Sequence, residues 1–251
     1  MHSFARFLIT EHPEHMDALQ QVVGLPFKRG GRAAPIEYLE ELEIKGVLES
    51  INRGTTSGRR DYALFSLMFN TGARVQEILD LRVCDLRLVT PCQVRLHGKG
   101  SKIRLCPIWR RTAQLLQDLI STHPPSDNPA DQRVFLNDRG TLLTRFGVRY
   151  LLRKYVDLAA KQAPTLTDKK IHPHSLRHST AIHLLKAGVD IATISQWLGH
   201  SGLNVTMRYA RADIDMKRQA LEQVFPNVLP SANGNTVTGC DGGLLGWLSR
   251  L

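Results

Sequence analysis

Residues 172–209 read HPHSLRHSTAIHLLKAGVDIATISQWLGHSGLNVTMRY, and they set polar groups at the ends of short helices. His174 and Arg177 open the first, whose apolar stripe is Leu176, Thr180/Ala181 and Leu184/Leu185. Gly188 stands where a left-handed C-cap is expected. Asp190 suits the N-cap of a second helix, with Ile191, Ile194 and Trp197/Leu198 on one face and Gly199 ending it. His200 follows at once, and a third short helix carries Tyr209. The spacing therefore predicts two imidazoles, a guanidinium and a phenol on one rigid helical frame.

Those side chains suit phosphodiester chemistry. A planar, permanently charged guanidinium clamps anionic oxygens. Tyr and His supply a nucleophile and proton handling. Singly, each has an ordinary explanation: a histidine near a helix start caps it, and a tyrosine packs. Jointly, H-x-x-R-H, then L-G-H, then Tyr209 form a pattern that chance rarely assembles. HPHSLRHS, LGHSGLNVTMRY and, upstream, NTGARVQEIL (residues 70–79) resemble the boxes of the tyrosine recombinase (phage integrase) family, over roughly residues 35–225.

The resemblance implies a DNA-breaking and rejoining enzyme that needs neither metal nor other cofactor. On the family's frame, Arg74 and Arg177 grip the nonbridging oxygens of the scissile phosphate and stabilise the charge that grows there. Tyr209 attacks phosphorus in line and leaves a 3′-phosphotyrosine and a 5′-hydroxyl. Lys99, in the G-K-G hairpin, matches the general acid that protonates the departing oxygen. His174 assists proton transfer around the nucleophile, and His200 hydrogen-bonds the phosphate. The implied partner is double-stranded DNA, bound by a homo-oligomer (a tetramer) or together with partner recombinase subunits. A zinc site is the competing reading of His174 and His178, which stand four apart as in a zincin helix. The stretch lacks the glutamate base, and Arg177 beside a dication is repulsive, so no metal is expected.

The rest of the chain agrees with such a partner. Net charge is +10 and the pI about 9.8, which points to a polyanion, nucleic acid first, although a ribosomal or anionic-membrane partner shares that signature. No run approaches the ~18 apolar residues of a membrane span and no signal pattern opens the chain, so a cytoplasmic location without membrane attachment is expected. Cys84, Cys92, Cys106 and Cys240 show no C-x-x-C spacing and read as free thiols.

Periodicity predicts a mainly α fold with a small antiparallel β-hairpin or sheet, an α+β architecture of the tyrosine recombinase catalytic-domain kind that the resemblance implies. Residues 37–51 carry Leu39, Leu42 and Val47/Leu48. Asp61 is the expected cap of an apolar helix, residues 62–70, broken at Thr71-Gly72, after which Arg74 starts another. An arginine at a helix N-terminus is not favoured by the dipole, a mild sign of function. Residues 92–106, CQVRLHGKGSKIRLC, read as a hairpin with Val94 and Leu96 alternating out, Ile103 and Leu105 alternating back, and Gly98-Lys99-Gly100 as the turn. Helices are expected near 110–121 and over 144–161, the latter on Phe146, Val148, Leu151/Leu152, Tyr155 and Leu158/Ala159, with a short strand at Val134–Leu136 between them. Asp213 caps a last helix ending before Pro226.

The expected domains are residues 1–34, the end of an N-terminal helical core-binding domain plus a basic linker; residues 35–226, the catalytic domain; and residues 227–251, a flexible tail. In the first, Pro13 opens a helix with Met16, Leu19 and Val22/Val23 on its buried side. Lys28, Arg29 and Arg32 serve as a solvated linker, a phosphate-tracking strap, or both; Lys102, Lys169, Lys170 and Arg208 are further DNA contacts. Only part of the family's core-binding domain fits before residue 35, so weak site recognition by this chain alone is expected. Two alternatives share the sequence: a DNA-binding remnant or accessory regulator of a full-length recombinase, and a type IB topoisomerase-like relaxing enzyme.

Overall fold

The computed structural model describes residues 2–25, 36–98, 100, 102–125, 127–200, 202–203 and 205–210. Lys28, Arg29, Arg32, Lys99, Cys240, the helix expected after Asp213 and the tail lie outside them. Two units divide the chain, Met1–Pro35 and Ile36–Leu251. In the first, α1 (His2–Glu11) packs on α2 (Met16–Gly24), joined by a 3₁₀ turn at Pro13–His15. Pro13 thus opens that turn and not the α-helix itself, which starts at Met16. Met16 is exposed, and Leu19, Val22 and Val23 are half-buried.

The second unit is organised on α4 (Thr56–Thr71), every residue of which from Ala63 to Thr71 is buried. Around it stand α3 (Glu41–Glu49), α5 (Val75–Leu79), α6 (Arg110–Ser121) and α8 (Pro173–Lys186), while α7 (Arg145–Ala159) packs on α3, α5 and α8. α4 starts earlier than its apolar run suggests, because Thr55 is the true cap and accepts from the Gly58 amide at 3.0 Å. Asp61, the expected cap, is an interior residue, 1% exposed. Its carboxylate accepts from Arg60 Nε at 2.8 Å and from the Tyr155 hydroxyl at 2.7 Å, so a buried charge is fully partnered.

The sheet is antiparallel in the order β1 (Leu86–Arg87), β2 (Gln93–His97), β3 (Ile103–Pro107). The hairpin stands where expected, but β3 faces the other way. Val94 pairs with Cys106 and Leu96 with Arg104, and directly opposed residues share a face. Cys106 and Arg104 therefore point inward, and Ile103 and Leu105 are 59% and 58% exposed. Leu42 and Phe146 are also exposed, at 81% and 82%, which removes both from their expected stripes; neighbouring turns of α3 and α7 already fill the core with Val47 and Val148. Val134–Leu136 makes no strand; Arg133 and Leu136 form isolated bridges, and Val134 and Phe135 are buried as irregular chain.

A second, smaller core joins α8, α9 (Ile191–Leu198) and the helical residues 205–210: Ala181, Ile182, Ile194, Leu198 and Tyr209. Asp190 caps α9, accepting from the Thr193 amide at 2.9 Å, and Gly199 ends it at φ +64°, both as the spacing predicts. Gly188, after α8, also has positive φ. Among the described residues no helix is long and apolar enough to cross a membrane.

Candidate active site

Two helix ends and one helix start meet here. α4 stops at Gly72 in the left-handed region, φ +60°, where a Cβ would come 2.6 Å from Leu198 Cδ2, so no other residue fits without movement. α9 stops at Gly199, whose Cβ position would lie 3.0 Å from the Arg104 guanidinium. α8 begins beside both with Pro173 at its first position and carries His174, Arg177 and His178 at i, i+3 and i+4, hence on one face.

Arg177 is 4% exposed and ties these ends together. Its Nη1 donates to the Gly72 carbonyl at 2.7 Å, and its Nη2 donates to the Leu198 carbonyl. A cation on the carbonyl ends of two helices is well placed with respect to their dipoles. Burial, then the nearby Arg74, pull its pKa down to about 10, which leaves it charged at neutral pH.

Arg74 is the N-cap of α5. Its amide donates to Glu77 Oε2 at 2.8 Å and its Nη1 to Glu77 Oε1 at 2.9 Å, with its Nη2 3.5 Å from the Gly199 carbonyl oxygen. The mild misfit of an arginine at a helix start is resolved by Glu77, three residues on. Glu77 also takes a two-pronged ion pair from Arg104, at 3.0 and 2.7 Å, and Arg104 Nε donates to the Trp197 carbonyl at 2.9 Å. Burial pushes the Glu77 carboxyl up; the Arg104 and Arg74 guanidiniums outweigh it and hold the group below the usual carboxylate range. Glu77 thus stands as a buried anion fixing two arginines, one of which, Arg74, keeps its side chain 36% exposed.

Tyr209 is 4% exposed. Its hydroxyl is 2.9 Å from His178 Nδ1, and its ring stacks on that of His200 at 6.1 Å and 18°. Burial raises the phenol pKa, while Arg177, Arg208 and Arg74 work against that rise. His200 is held by Thr206 Oγ1 at 2.8 Å; burial, then Arg177, Arg74 and Arg104, push it down to about 4. His174 lines an open cleft of about 660 Å³ with Arg74, Arg145, Phe146, Arg149 and His172, a lining without a carboxylate. Burial and the neighbouring His172, Arg177 and Arg74 lower its pKa also.

Arg74, His174, Arg177, His200 and Tyr209 are thus brought to one place. The hairpin reaches the same place: a Cβ on Gly98 would stand 3.4 Å from Glu77 Oε1, although Lys99 itself is outside the described residues. Of the expected DNA contacts, Lys102, Lys170 and Arg208 are exposed. Lys169 is engaged elsewhere, its Nζ 2.6 Å from Glu43 Oε2 and 3.1 Å from the Tyr38 carbonyl. Glu77 and Arg104 escape the sequence reading, as does the place of His178 at the phenol. Glu77 carries a signal, its capping-box spacing from Arg74; His178 carries only its adjacency to Arg177 and its spacing from His174; Arg104 becomes visible once the strand register is known. Among the described residues no three His, Cys, Asp or Glu side chains cluster as metal ligands do.

Comparison with known proteins follows the same lines. Residues 37–215 match the model of the phage integrase family. The chain is 36% identical over 226 residues to the integrase/recombinase-type protein y4rC of Sinorhizobium fredii, covering 90% of this chain and 67% of that one. It is 32% identical to the tyrosine recombinase XerC of Staphylococcus carnosus over 92% of this chain and 73% of that protein. Among solved structures, the XerH site-specific recombinase bound to its difH substrate before cleavage superposes with a TM-score of 0.60 at 25% identity, over 74% of this chain and 53% of that one.

Proposed function

We propose that this chain, which belongs to the phage integrase family, is a tyrosine recombinase that cuts and rejoins DNA at specific sites through a 3′-phosphotyrosine on Tyr209. The observation that carries the reading is the convergence of Arg74, Arg177, His200 and Tyr209 around the two glycine C-caps, close enough that both arginines act on the phenol and on His200. Arg74 and Arg177 neutralise the scissile phosphate, and in a partly buried site such preorganised donors act chiefly on the charge of the transition state. His174 and His200, neutral at pH 7, donate hydrogen bonds to phosphate oxygens. Lys99, which matches the lysine of the family's G-K-G hairpin, protonates the leaving 5′ oxygen. No metal takes part, because the guanidiniums already supply the charge a metal would bring. Residues 35–226 form the catalytic domain.

Duplex DNA lies along the carboxylate-free cleft, with Arg145 and Arg149 of α7 on its backbone. Exchange of strands between two duplexes needs more than one tyrosine, so the working species is an oligomer, of this chain or with partner subunits. The recombinase relatives and the DNA-bound XerH structure favour recombination over a topoisomerase or a non-catalytic remnant. The test is a nicked suicide duplex that traps the covalent intermediate, run on a denaturing gel with chelator present. A protein–DNA band is expected from the wild type and none from Tyr209→Phe; cleavage that chelator abolishes and a divalent ion restores would refute the metal-free mechanism.

A further inference from the structure

The resemblance implies that His174 assists proton transfer around Tyr209, but the histidine against the phenol is a different one. The phenol oxygen is 2.9 Å from His178 Nδ1, with ring centroids 5.5 Å apart. His174 lines the Arg74 cleft instead. His178 belongs to α8, the helix that Arg177 anchors to α4 and α9, so its backbone is fixed with respect to the phosphate clamp. We infer that His178 is a catalytic residue of this site: Nδ1 accepts the Tyr209 proton as the phenol oxygen attacks phosphorus and returns it when the strand is rejoined. The inference rests on the reading of Tyr209 as nucleophile.

The step balances. The Tyr209 O–H bond breaks, its proton passes to Nδ1, and its electron pair forms the new O–P bond. The bond from phosphorus to the 5′ oxygen breaks, and that oxygen takes its proton from the acid assigned to Lys99. Acceptance requires a neutral ring with its hydrogen on Nε2. His178 faces His174 and Arg177 on its own helix, His172 at the cap of that helix, Arg208 and Tyr209 on residues 205–210, and His200 after α9; burial, then His174, His172, Arg208 and Arg177, hold it near 4. A bound phosphodiester brings negative charge among those cations and raises the basicity of the ring, so His178 becomes an effective base only when DNA is in place.

Asparagine tests this directly, because its side-chain oxygen stands near the Nδ1 position and preserves the hydrogen bond but cannot carry a proton. Single-turnover adduct formation should fall about 100-fold or more in both His178→Asn and His178→Ala, the usual range for loss of a general base, with duplex binding and thermal unfolding near wild type for the Asn variant. The residual rate of His178→Asn should climb with pH as the phenol ionises unaided, whereas the wild type stays flat across neutral pH. A duplex with sulfur in place of the scissile 5′ oxygen needs no leaving-group proton; it should restore Lys99→Ala and leave His178→Asn slow. An Asn variant as fast as wild type, or one restored by the sulfur substrate, overturns the inference. Absence of any adduct from the wild-type chain instead overturns the nucleophile reading beneath it, so the two failures are distinguishable.

Discussion

Arg177 and Arg74 carry the same charge in different settings, and lysine substitution separates them. Arg177 bridges two buried carbonyls, so Arg177→Lys loses a fork that one ammonium cannot replace; Arg74 is partly open and pairs with Glu77 at its edge. Each lysine variant should slow cleavage by about 100-fold, as removal of one transition-state donor does. Only Arg177→Lys should also lower the melting temperature clearly, measured by circular dichroism. The histidines predict a pH effect. His178 and His200 titrate near 4 when folded and at about 6.5 when unfolded. Between those values the unfolded chain binds protons that the folded one does not, so stability falls as pH drops through that window. Thermal unfolding at pH 7 and pH 5 should show it, and the double variant His178→Asn/His200→Asn should flatten the dependence. Arg177, His200 and Tyr209 stand out in the sequence because their joint spacing sets them on one helical frame, whereas Arg74 is pointed to by the resemblance and by its misfit at a helix start. His178 is visible in the sequence only as the partner of His174 in a zincin-like spacing, and its contact with the phenol has no sequence mark.

At the level of elements, the site is a junction of helix ends held by Glu77. Removing that carboxylate leaves Arg104, 12% exposed, without its charge partner. Glu77→Ala should therefore destabilise the chain by about 3 kcal/mol in urea unfolding, the scale for breaking a buried pair from one side. It should also release Arg74 and slow cleavage, whereas Lys45→Ala, which loses an exposed pair with Glu49, should change stability by less than about 1 kcal/mol. The helices of the second unit and the hairpin are legible because hydrophobic period and capping residues are local signals: Asp190, Gly72 and Gly199 stand where the caps are expected, whereas α1 is not among the expected helices. The facing of β3 is not local. Ile103 and Leu105 look like the inward face, but the pairing of Leu96 with Arg104 turns the arginine toward Glu77, and an ion pair outweighs the preference of two apolar side chains. The same limit applies to α4, whose polar first turn hides its true start at Thr55.

Over the whole molecule, the excess of ten positive charges becomes useful only where it is gathered. The cleft beside Arg74 gathers three arginines and two histidines with no acid among its lining residues. Duplex binding should weaken steeply with salt, and Arg145→Ala and Arg149→Ala should each make the log–log slope shallower by about 0.9, the contribution of one phosphate contact. Arg153→Ala, further along α7 and within reach of Asp157, should change it less. Charge and composition announce a nucleic-acid partner but not the surface that meets it, because that surface is assembled from α5, α7 and α8, far apart in sequence. The central claim is that one phenol, Tyr209, becomes joined to DNA. It is tested most directly by digesting the trapped protein–DNA adduct and sequencing the nucleotide-bearing peptide by mass spectrometry. The account predicts a single modified peptide with a 3′-phosphonucleotide on Tyr209; modification of Tyr150, Tyr155 or any other residue in an active preparation would contradict it.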